Sequence, residues 1–460
     1  MEKSMPAGIT LIGLGPGDSQ QWTQAAARAL GQAREVYLRT GRHLSVVDIS
    51  AQIRTFDEWY DQNDNLEQVN QQVAAKIVQV GRRDEGVIYA LPGHPDIGEA
   101  TVPLIRAMAK AQELRVVTVP GLSFIEPTLT ALGLDGLNNL QIADAVQIAG
   151  SYHPALEQDR AALIAHLHSQ AVAVGVKQAL LNVYPADFQV TLVQAAGTKF
   201  ERVWSCPLAQ LEHQPSLEML TTVYLPAETS YSSFSTFQEI IAHLRSPNGC
   251  PWDRAQTHQS LRPYLLEETY EVLEALDAGD PRALAEELGD LLLQILLHTQ
   301  IATDQGEFKM GTVIEHISRK MLRRHPHVFG DVVIQGLGEL YSNWEAIKQA
   351  EKAEKGQAGA PVSALDGVPA GLPALAQALA ISKKAVQAGF EWPNIEGVLE
   401  KVVEEAGEVA EAAEPDQLEA EIGDLLFCIV NLARWRKIDP ESALRATNAR
   451  FSRRFKIMEG

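Results

Sequence analysis

Glu287-Leu288-Gly289-Asp290-Leu291-Leu292-Leu293-Gln294-Ile295-Leu296-Leu297 opens with two carboxylates and continues as an almost wholly apolar run. The pattern returns at Glu421-Ile422-Gly423-Asp424-Leu425-Leu426-Phe427-Cys428-Ile429-Val430. Residues three apart share a helix face, so each stretch places its Glu beside its Asp. A helix that is apolar on every side is expected to be buried. Because burying a bare carboxylate is strongly unfavourable, the two stretches predict a bound cation at each helix start.

A second acidic cluster precedes each stretch, Glu267-Glu268-x-x-Glu271 in the first copy and Glu404-Glu405-x-x-Glu408 in the second. The second copy is slightly shorter between its two clusters, which indicates a duplication with a trimmed loop. Taken alone, an acidic stripe of this kind is more often a solvated helix face. The apolar partner helix favours a metal site instead.

Ligands that are all oxygen select Mg²⁺ or Mn²⁺ rather than zinc. A di-iron carboxylate bundle would need Glu-x-x-His on facing helices, and neither copy contains one. Carboxylate-held Mg²⁺ usually completes its shell with water and substrate phosphate, so cationic side chains nearby are candidate phosphate ligands. The candidates are Lys401, Arg450, Arg453 and Arg454 in the second copy, and Arg319, Lys320, Arg323, Arg324, His325 and His327 in the first. A basic run near a helix end also serves as ordinary surface or offsets the helix dipole.

Length and charge narrow the classes of function. A chain of 460 residues fits two to four domains. Its formal net charge of -20 argues against a nucleic-acid polymer as partner. The three cysteines form no CxxC pair and no disulfide framework, and the apolar runs are too short to span a membrane. We therefore expect a cytoplasmic protein without a membrane partner.

The chain changes character near its middle. From residue 9 to about 226, strand-like runs alternate with glycine/proline turns and helices, which is typical of an α/β fold. From 234 onward the periodicity is helical. The predicted architecture is an α/β domain of two subdomains followed by two all-α repeats. Its expected bounds are 7–226, 234–352, a linker at 353–373, and 374–460.

The helical half resembles the MazG nucleoside triphosphate pyrophosphohydrolases. Besides the acidic clusters, the first copy carries Cys250-Pro251-Trp252-Asp253 and Arg323-Arg324-His325-Pro326-His327-Val328-Phe329. The second carries Lys383-Lys384-Ala385, Gly389-Phe390-Glu391-Trp392, Asn431-Leu432-Ala433-Arg434 and Asn448-x-x-Phe451-x-x-Arg454-Phe455. The resemblance implies an all-α, usually dimeric enzyme that converts a nucleoside triphosphate to its monophosphate and pyrophosphate.

The same resemblance implies roles for individual residues. The implied Mg²⁺ ligands are Glu405, Glu408, Glu421 and Asp424 in the second copy, and Glu268, Glu271, Glu287 and Asp290 in the first. The implied nucleotide contacts are Lys401, Arg450 and Arg454, with Asn448 beside them. Arg323 and Arg324 are further candidates for nucleotide binding. A carboxylate outside the metal shell, Glu404 or Glu267, is the candidate general base.

The N-terminal half resembles the tetrapyrrole (corrin/porphyrin) methylases. The matching segments are Gly13-Leu14-Gly15-Pro16-Gly17-Asp18, Pro92-Gly93-His94-Pro95, Val119-Pro120-Gly121-Leu122-Ser123 and Thr221-Thr222-Val223-Tyr224-Leu225-Pro226. The resemblance implies S-adenosylmethionine bound between two subdomains by Gly13, Gly15, Pro16, Gly17, Asp18, Gly93, His94, Pro95, Pro120, Gly121 and Ser123. The family's Gly-Asp-Pro turn reads Gly93-His94-Pro95 here, so the methyl acceptor stays open, and His94 is either a catalytic substitute or a turn residue with a structural hydrogen bond.

The fusion of the two modules resembles the YabN group. The main predicted activity of this chain is Mg²⁺-dependent nucleotide pyrophosphohydrolysis by the helical half, which is fused to a methylase-like domain. Two alternatives remain. In one, the chain is an S-adenosylmethionine-dependent methyltransferase whose helical repeats bind nucleotide or dimerise. In the other, the repeats are a non-catalytic regulator, which the intact carboxylates disfavour.

Overall fold

The computed structural model describes residues 8–63, 65–215, 217–218, 220–228, 231–352 and 363–459. The chain divides into two compact units, Met1–His243 and Leu244–Gly460. The expected first boundary at 7 and part of the expected linker, 353–362, lie outside the described residues. The proposed domain bounds therefore stay a prediction.

The first sheet of the N-terminal unit is entirely parallel, in the order β3-β2-β4-β1-β5. Its strands are β1 (Ile9–Gly13), β2 (Glu35–Leu38), β3 (Gln52–Thr55), β4 (Val87–Leu91) and β5 (Val116–Val119). Its helices are α1 (Gln24–Gly31), α2 (Asp57–Asp61), α3 (Leu66–Val80), α4 (Thr101–Ala111) and α5 (Ile125–Leu132). Leu11 packs into one hydrophobic cluster and the adjacent Ile12 into another, so this sheet is covered on both faces.

A second sheet of five strands, ordered β6-β7-β10-β8-β9, completes this unit. Its strands are β6 (Gln141–Asp144), β7 (Ala162–Ala165), β8 (Gln189–Gln194), β9 (Arg202–Pro207) and β10 (Thr221–Leu225), accompanied by helices α6 (Ala145–Ala149) and α7 (Gln170–Leu180). Only β6 and β7 run parallel, and the other pairs are antiparallel. Two sheets with helices confirm the predicted α/β fold.

Among the described residues after 233, all secondary-structure elements are helices. These helices are α8 (Phe234–Arg245), α9 (Pro251–Ala255), α10 (Arg262–Ala278), α11 (Pro281–Gln305), α12 (Met310–Arg324), α13 (Pro326–Phe329), α14 (Leu337–Lys352), α15 (Ala374–Gln387), α16 (Ile395–Glu411), α17 (Pro415–Trp435) and α18 (Pro440–Glu459). The prediction of an all-α second half is confirmed. None of the described helices has the length and apolarity that a membrane crossing requires.

The acidic clusters lie on two equivalent helix pairs, α10 with α11 and α16 with α17. The turn between α10 and α11 is tight because Gly279 adopts a left-handed conformation (φ +67°) and Asp280 then caps α11 through the amides of Arg282 and Ala283. Arg445 on α18 reaches Asp277 on α10 at 3.0 Å and so connects the two repeats.

The expectation that α11 and α17 are buried on every side is wrong for the single chain. On α17, Ile422, Leu426 and Ile429 are 43%, 47% and 43% exposed, and on α11 Leu288 and Ile295 are also exposed. Each helix packs its partner helix along one face, while these residues lie on another. The positions 422, 426 and 429 follow helical spacing, so the exposed side chains form one continuous apolar stripe.

Candidate metal and nucleotide site

The second repeat brings three carboxylates together. Glu405 and Glu408 lie on α16 and Glu421 on α17, and one oxygen from each falls within 4.8 Å of the other two. Glu405 is only 4% exposed, and among the described residues no donor reaches its Oε2 atom. A buried carboxylate oxygen without a hydrogen bond is costly unless a cation meets it. The donor set is all oxygen, which fits Mg²⁺ or Mn²⁺.

Lys401 neutralises part of this charge. Its Nζ atom lies 2.7 Å from Glu405 Oε1 and 3.0 Å from Glu404 Oε1. The hydrogen bond to Glu405, followed by that to Glu404, raises the pKa of Lys401, so the lysine stays charged. Partial loss of solvent, then the charges of Glu405 and Glu421, raises the pKa of Glu408. One lysine therefore leaves this cluster with excess negative charge.

The first repeat forms a matching cluster. Glu268 on α10 and Glu287 and Asp290 on α11 place one oxygen each within 4.8 Å of one another, and all three are half-buried. Partial loss of solvent raises the pKa of Glu268, and the charges of Asp290 and Glu271 add to this effect. The pKa of Glu287 is raised in the same way. In each repeat, three of the predicted ligands are therefore brought together from two helices, and metal binding by them stays a prediction.

Each assembled cluster holds three of the four expected ligands. Asp424 is exposed and lies outside the second cluster, although it follows Glu421 by one helical turn and stays on the same face. Glu271 lies outside the first cluster, yet its charge acts on both Glu268 and Glu287. Asp424 and Glu271 as metal ligands stay a prediction.

The two candidate general bases differ in their surroundings. Glu404 is exposed and already accepts a hydrogen bond from Lys401. Glu267 is exposed on α10. Neither belongs to the assembled clusters, which is what a base outside the metal shell requires, and the role of each stays a prediction.

The predicted nucleotide contacts on α18 face solvent. Asn448, Arg450 and Arg454 are all exposed, and Arg450 donates to Thr447 Oγ1 at 3.1 Å. Exposed cations on one helix are available to phosphates, and their role stays a prediction.

Arg323 and Arg324 have a structural partner that the sequence did not indicate. Arg323 Nη2 and Arg324 Nη2 each lie 2.6 Å from a Glu351 carboxylate oxygen, and Glu351 belongs to α14. Hydrogen bonds from Arg324 first, and from Arg323, lower the pKa of Glu351 to about 2. The pair of arginines thus joins α12 to α14, and phosphate binding by either one would compete with this contact.

Glu351→Gln is expected to destabilise the protein at neutral pH and to matter less in acid. A carboxyl whose pKa is lowered on folding stabilises the fold above its unfolded pKa, near 4.5, and loses that contribution as the pH falls toward 2. Thermal unfolding at pH 7 and pH 2.5 measures the difference. Glu315→Gln, which removes the exposed Glu315–Arg319 pair on α12, is the matched control and should have little effect at either pH. An equal loss for Glu351→Gln at both pH values would contradict the assignment.

The second repeat also contains a polar network whose role the sequence did not reveal. Arg434 donates through Nη1 and Nη2 to the two carboxylate oxygens of Glu391, both at 2.7 Å, and through Nε to Ser382 Oγ at 2.8 Å. Ser382 in turn donates to Asn431 at 2.5 Å, and both are buried. This bidentate pair fixes the loop after α15 against α17. Residues of the family motifs around Glu391 and Asn431 therefore hold the second repeat together.

In the N-terminal unit, the three predicted glycine loops meet at one place. Gly15 and Gly93 exchange backbone hydrogen bonds, with N···O distances of 3.2 and 2.9 Å. A Cβ atom at Gly13 would lie 2.5 Å from both Gly93 O and Gly121 N, so only glycine allows this approach. The loops follow β1, β4 and β5 at the carboxyl edge of the parallel sheet, where ligands bind in open α/β folds. Binding of a small ligand by backbone groups of this cradle, defined by the loops of Gly13, Gly93 and Gly121, stays a prediction.

Several of the side chains predicted to bind the cofactor make hydrogen bonds to residues close to them in the sequence. Asp18 accepts from Gln20 N at 3.0 Å, and Ser123 donates to Glu126 at 2.5 Å. His94 Nδ1 accepts from Asp96 N at 3.0 Å, the structural hydrogen bond that one of the two interpretations of this turn predicted. Pro16, Gly17 and Pro95 are buried, whereas Asp18 and Pro120 are exposed. Cofactor binding by these residues stays a prediction and depends on backbone groups.

Comparison with known proteins agrees with this division. A family model described as "MazG nucleotide pyrophosphohydrolase domain" matches 256–329 and 394–458, the segments that carry the two carboxylate clusters. A second, "Tetrapyrrole (Corrin/Porphyrin) Methylases", matches 8–212. "Uncharacterized protein YabN" of Bacillus subtilis (strain 168) is 42% identical and aligns with 99% of this chain and 94% of its own length. The chain belongs to the YabN family.

Relatives of the separate halves also match this YabN-family chain. "Nucleoside triphosphate pyrophosphohydrolase/pyrophosphatase MazG" of Thermotoga maritima is 48% identical over 49% of this chain and 85% of its own. A crystal structure of uroporphyrin-III-C-methyltransferase from Thermus thermophilus aligns with 48% of this chain and 99% of its own, at 17% identity and a TM-score of 0.38. That score is too low to add to the assignment, which depends on the sequence matches.

Proposed function

We propose that the helical unit hydrolyses nucleoside triphosphates to monophosphates and pyrophosphate with Mg²⁺, or Mn²⁺ in its place. The observation that carries this proposal is the cluster of Glu405, Glu408 and Glu421, in which a buried carboxylate oxygen lacks a donor among the described residues. The matches to pyrophosphohydrolase relatives support the reaction class.

The residues of the two clusters and their neighbours would have different roles in this reaction. Glu405, Glu408 and Glu421, with Asp424 beside them, would hold the metal, and Glu268, Glu287 and Asp290, with Glu271, would do so in the first repeat. When bound, Mg²⁺ supplies activation of water and neutralises charge on the leaving phosphate. Lys401 holds a positive charge at the edge of the cluster, where a triphosphate oxygen can replace Glu404 as its partner. Glu404 or Glu267 would then take the proton of the attacking water.

The test is pyrophosphate release from a panel of ribo-, deoxy- and damaged nucleoside triphosphates with Mg²⁺, repeated with each acidic set inactivated in turn. Glu268→Gln disables the first set and Glu408→Gln the second. Glu411→Gln, an exposed carboxylate one turn beyond Glu408 on α16, is the matched control. Absence of pyrophosphate with every triphosphate would refute the hydrolase proposal, and equal loss in the control would refute the site.

A homodimer through the helical repeats is part of the proposal. It is supported by the apolar stripe of Ile422, Leu426 and Ile429 on α17, because a contiguous exposed apolar face is typical of an interface. Leu426→Glu is expected to convert the dimer to a monomer in light scattering. Leu137→Glu, at a position that is 94% exposed in the other unit, should leave the mass unchanged. A monomeric wild-type protein would contradict the dimer.

For the N-terminal unit we propose S-adenosylmethionine binding at the glycine cradle, with methyl transfer as its reaction class. The close approach of Gly13, Gly93 and Gly121 supports it. Isothermal titration with S-adenosylhomocysteine tests it, and absence of binding would refute it. A cytoplasmic location also belongs to the proposal and is supported by three free cysteines, Cys206, Cys250 and Cys428.

A further inference from the structure

A carboxylate–imidazole pair lies at the carboxyl edge of the second sheet of the N-terminal unit. Asp144 ends β6, His166 directly follows β7, and these two strands are parallel neighbours. His166 Nδ1 lies 2.6 Å from Asp144 Oδ2. Because a carboxylate only accepts, Nδ1 carries the hydrogen and Nε2 is left as the basic nitrogen.

Asp144 is itself held in place. Its other oxygen, Oδ1, accepts from Val146 N at 2.9 Å and from Gln147 N at 3.3 Å and so caps α6. One carboxylate oxygen is therefore committed to the backbone, and the second is aimed at His166. An acid that orients the Nδ1–H of a histidine in this way is the arrangement that prepares Nε2 for proton transfer.

His166 has a strained backbone. Its φ of 63° places a non-glycine residue in the left-handed region, and His168 N donates to His166 O at 2.8 Å in a tight turn. Conformations of this kind cluster at functional sites. A simple ion pair between β6 and β7 would not need this left-handed backbone conformation, because the two strands are already paired through their backbones.

The free edge of the imidazole faces the loops of the glycine cradle. A Cβ atom at Gly98 would lie 2.6 Å from His166 Cε1 and 3.0 Å from Nε2, so glycine at 98 (φ +72°) is what admits the ring. Gly98 belongs to the loop that carries Gly93. From the loop after β5, the Phe124 ring lies 6.2 Å from the imidazole centroid. His166 is half-buried, so Nε2 is screened but reachable.

We propose that His166 is the acid–base residue of the N-terminal unit and that Asp144 is its positioning residue. The inference rests on the proposed binding of a sulfonium methyl donor at the cradle. In the transfer, the acceptor's nucleophilic atom forms a bond to the methyl carbon while the carbon–sulfur bond breaks and its electron pair returns to sulfur. The acceptor's proton goes to His166 Nε2, and the imidazolium is stabilised by Asp144. The acceptor is thus a nucleophile that must lose a proton.

The tautomer of His166 provides a test that needs no activity. Long-range ¹H–¹⁵N spectra of the imidazole rings at high pH are expected to show His166 with hydrogen on Nδ1. In Asp144→Asn, the single amide oxygen caps α6 and the NH₂ group faces Nδ1, so the hydrogen should move to Nε2 while the fold persists. Asp135→Asn, which removes a carboxylate that caps a surface turn, is the control and should leave the tautomer unchanged. A wild-type His166 protonated on Nε2 would overturn the proposal.

Chemical modification tests the placement of Nε2 beside the cradle. Diethyl pyrocarbonate is expected to modify His166 in the full chain, and saturating S-adenosylhomocysteine should slow this modification about tenfold or more, as followed by mass spectrometry of the peptide. Binding without protection would overturn the role of His166 alone. Absence of binding would overturn the cofactor proposal and the transfer role with it, so the two failures are distinguishable.

Discussion

Glu405→Gln is expected to lower the rate of pyrophosphate release by about 10²–10³-fold, the loss typical of removing one preorganised electrostatic partner of a transition state. Glu405 is the buried member of the second carboxylate cluster and the one whose Oε2 lacks a donor in the described part of the chain. The amide keeps the shape of the side chain but removes the charge that a cation requires. Initial rates at saturating Mg²⁺ and triphosphate measure the effect.

Two comparisons separate this effect from a general loss of structure. Glu411→Gln on the same helix should retain the wild-type rate, and the circular dichroism spectrum of Glu405→Gln should match that of the wild type. If Glu405→Gln kept more than about half of the wild-type rate while Glu268→Gln abolished activity, the first repeat and not the second would be the catalytic one. Retention of activity in the double variant would remove both clusters from the mechanism.

Mg²⁺ is expected to raise the unfolding temperature of the helical unit by roughly 5–10 °C. A ligand at a hundred times its Kd stabilises the folded state by about 2.7 kcal/mol, and each kcal/mol shifts the midpoint by about 2–4 °C for a unit of this size. The physical cause is relief of repulsion among the carboxylates. Partial loss of solvent and then the charges of neighbouring carboxylates already raise the pKa values of Glu408 and Glu268. Differential scanning calorimetry with Mg²⁺ and then with excess chelator measures the shift.

The shift must come from the clusters and not from ionic strength. NaCl at matched ionic strength should produce a much smaller change, and the double variant Glu268→Gln with Glu405→Gln should lose the Mg²⁺ effect. Each single variant is expected to lose part of it, because the chain carries two assembled clusters. A full shift in the double variant would show that Mg²⁺ binds elsewhere.

Local periodicity determined much of this protein. The repeated E-E-x-x-E and E-x-x-D patterns predicted two helix pairs, because residues three and four apart share a helix face whatever surrounds the helix. The alternation of strand, glycine turn and helix predicted the α/β half for a similar reason. The family resemblance then connected these elements to phosphate chemistry, and the sequence matches confirmed the two families.

Only the tertiary structure decided which side chains meet. The interpretation of α11 and α17 as wholly buried was wrong, because burial depends on how many sides of a helix the rest of the chain covers. The partnership of Arg323 and Arg324 with Glu351 and the pairing of Asp144 with His166 join residues on different elements. Spacing along one element is a local property of the backbone, whereas contact between elements depends on packing across the whole fold. For that reason, no sequence pattern predicted either pair.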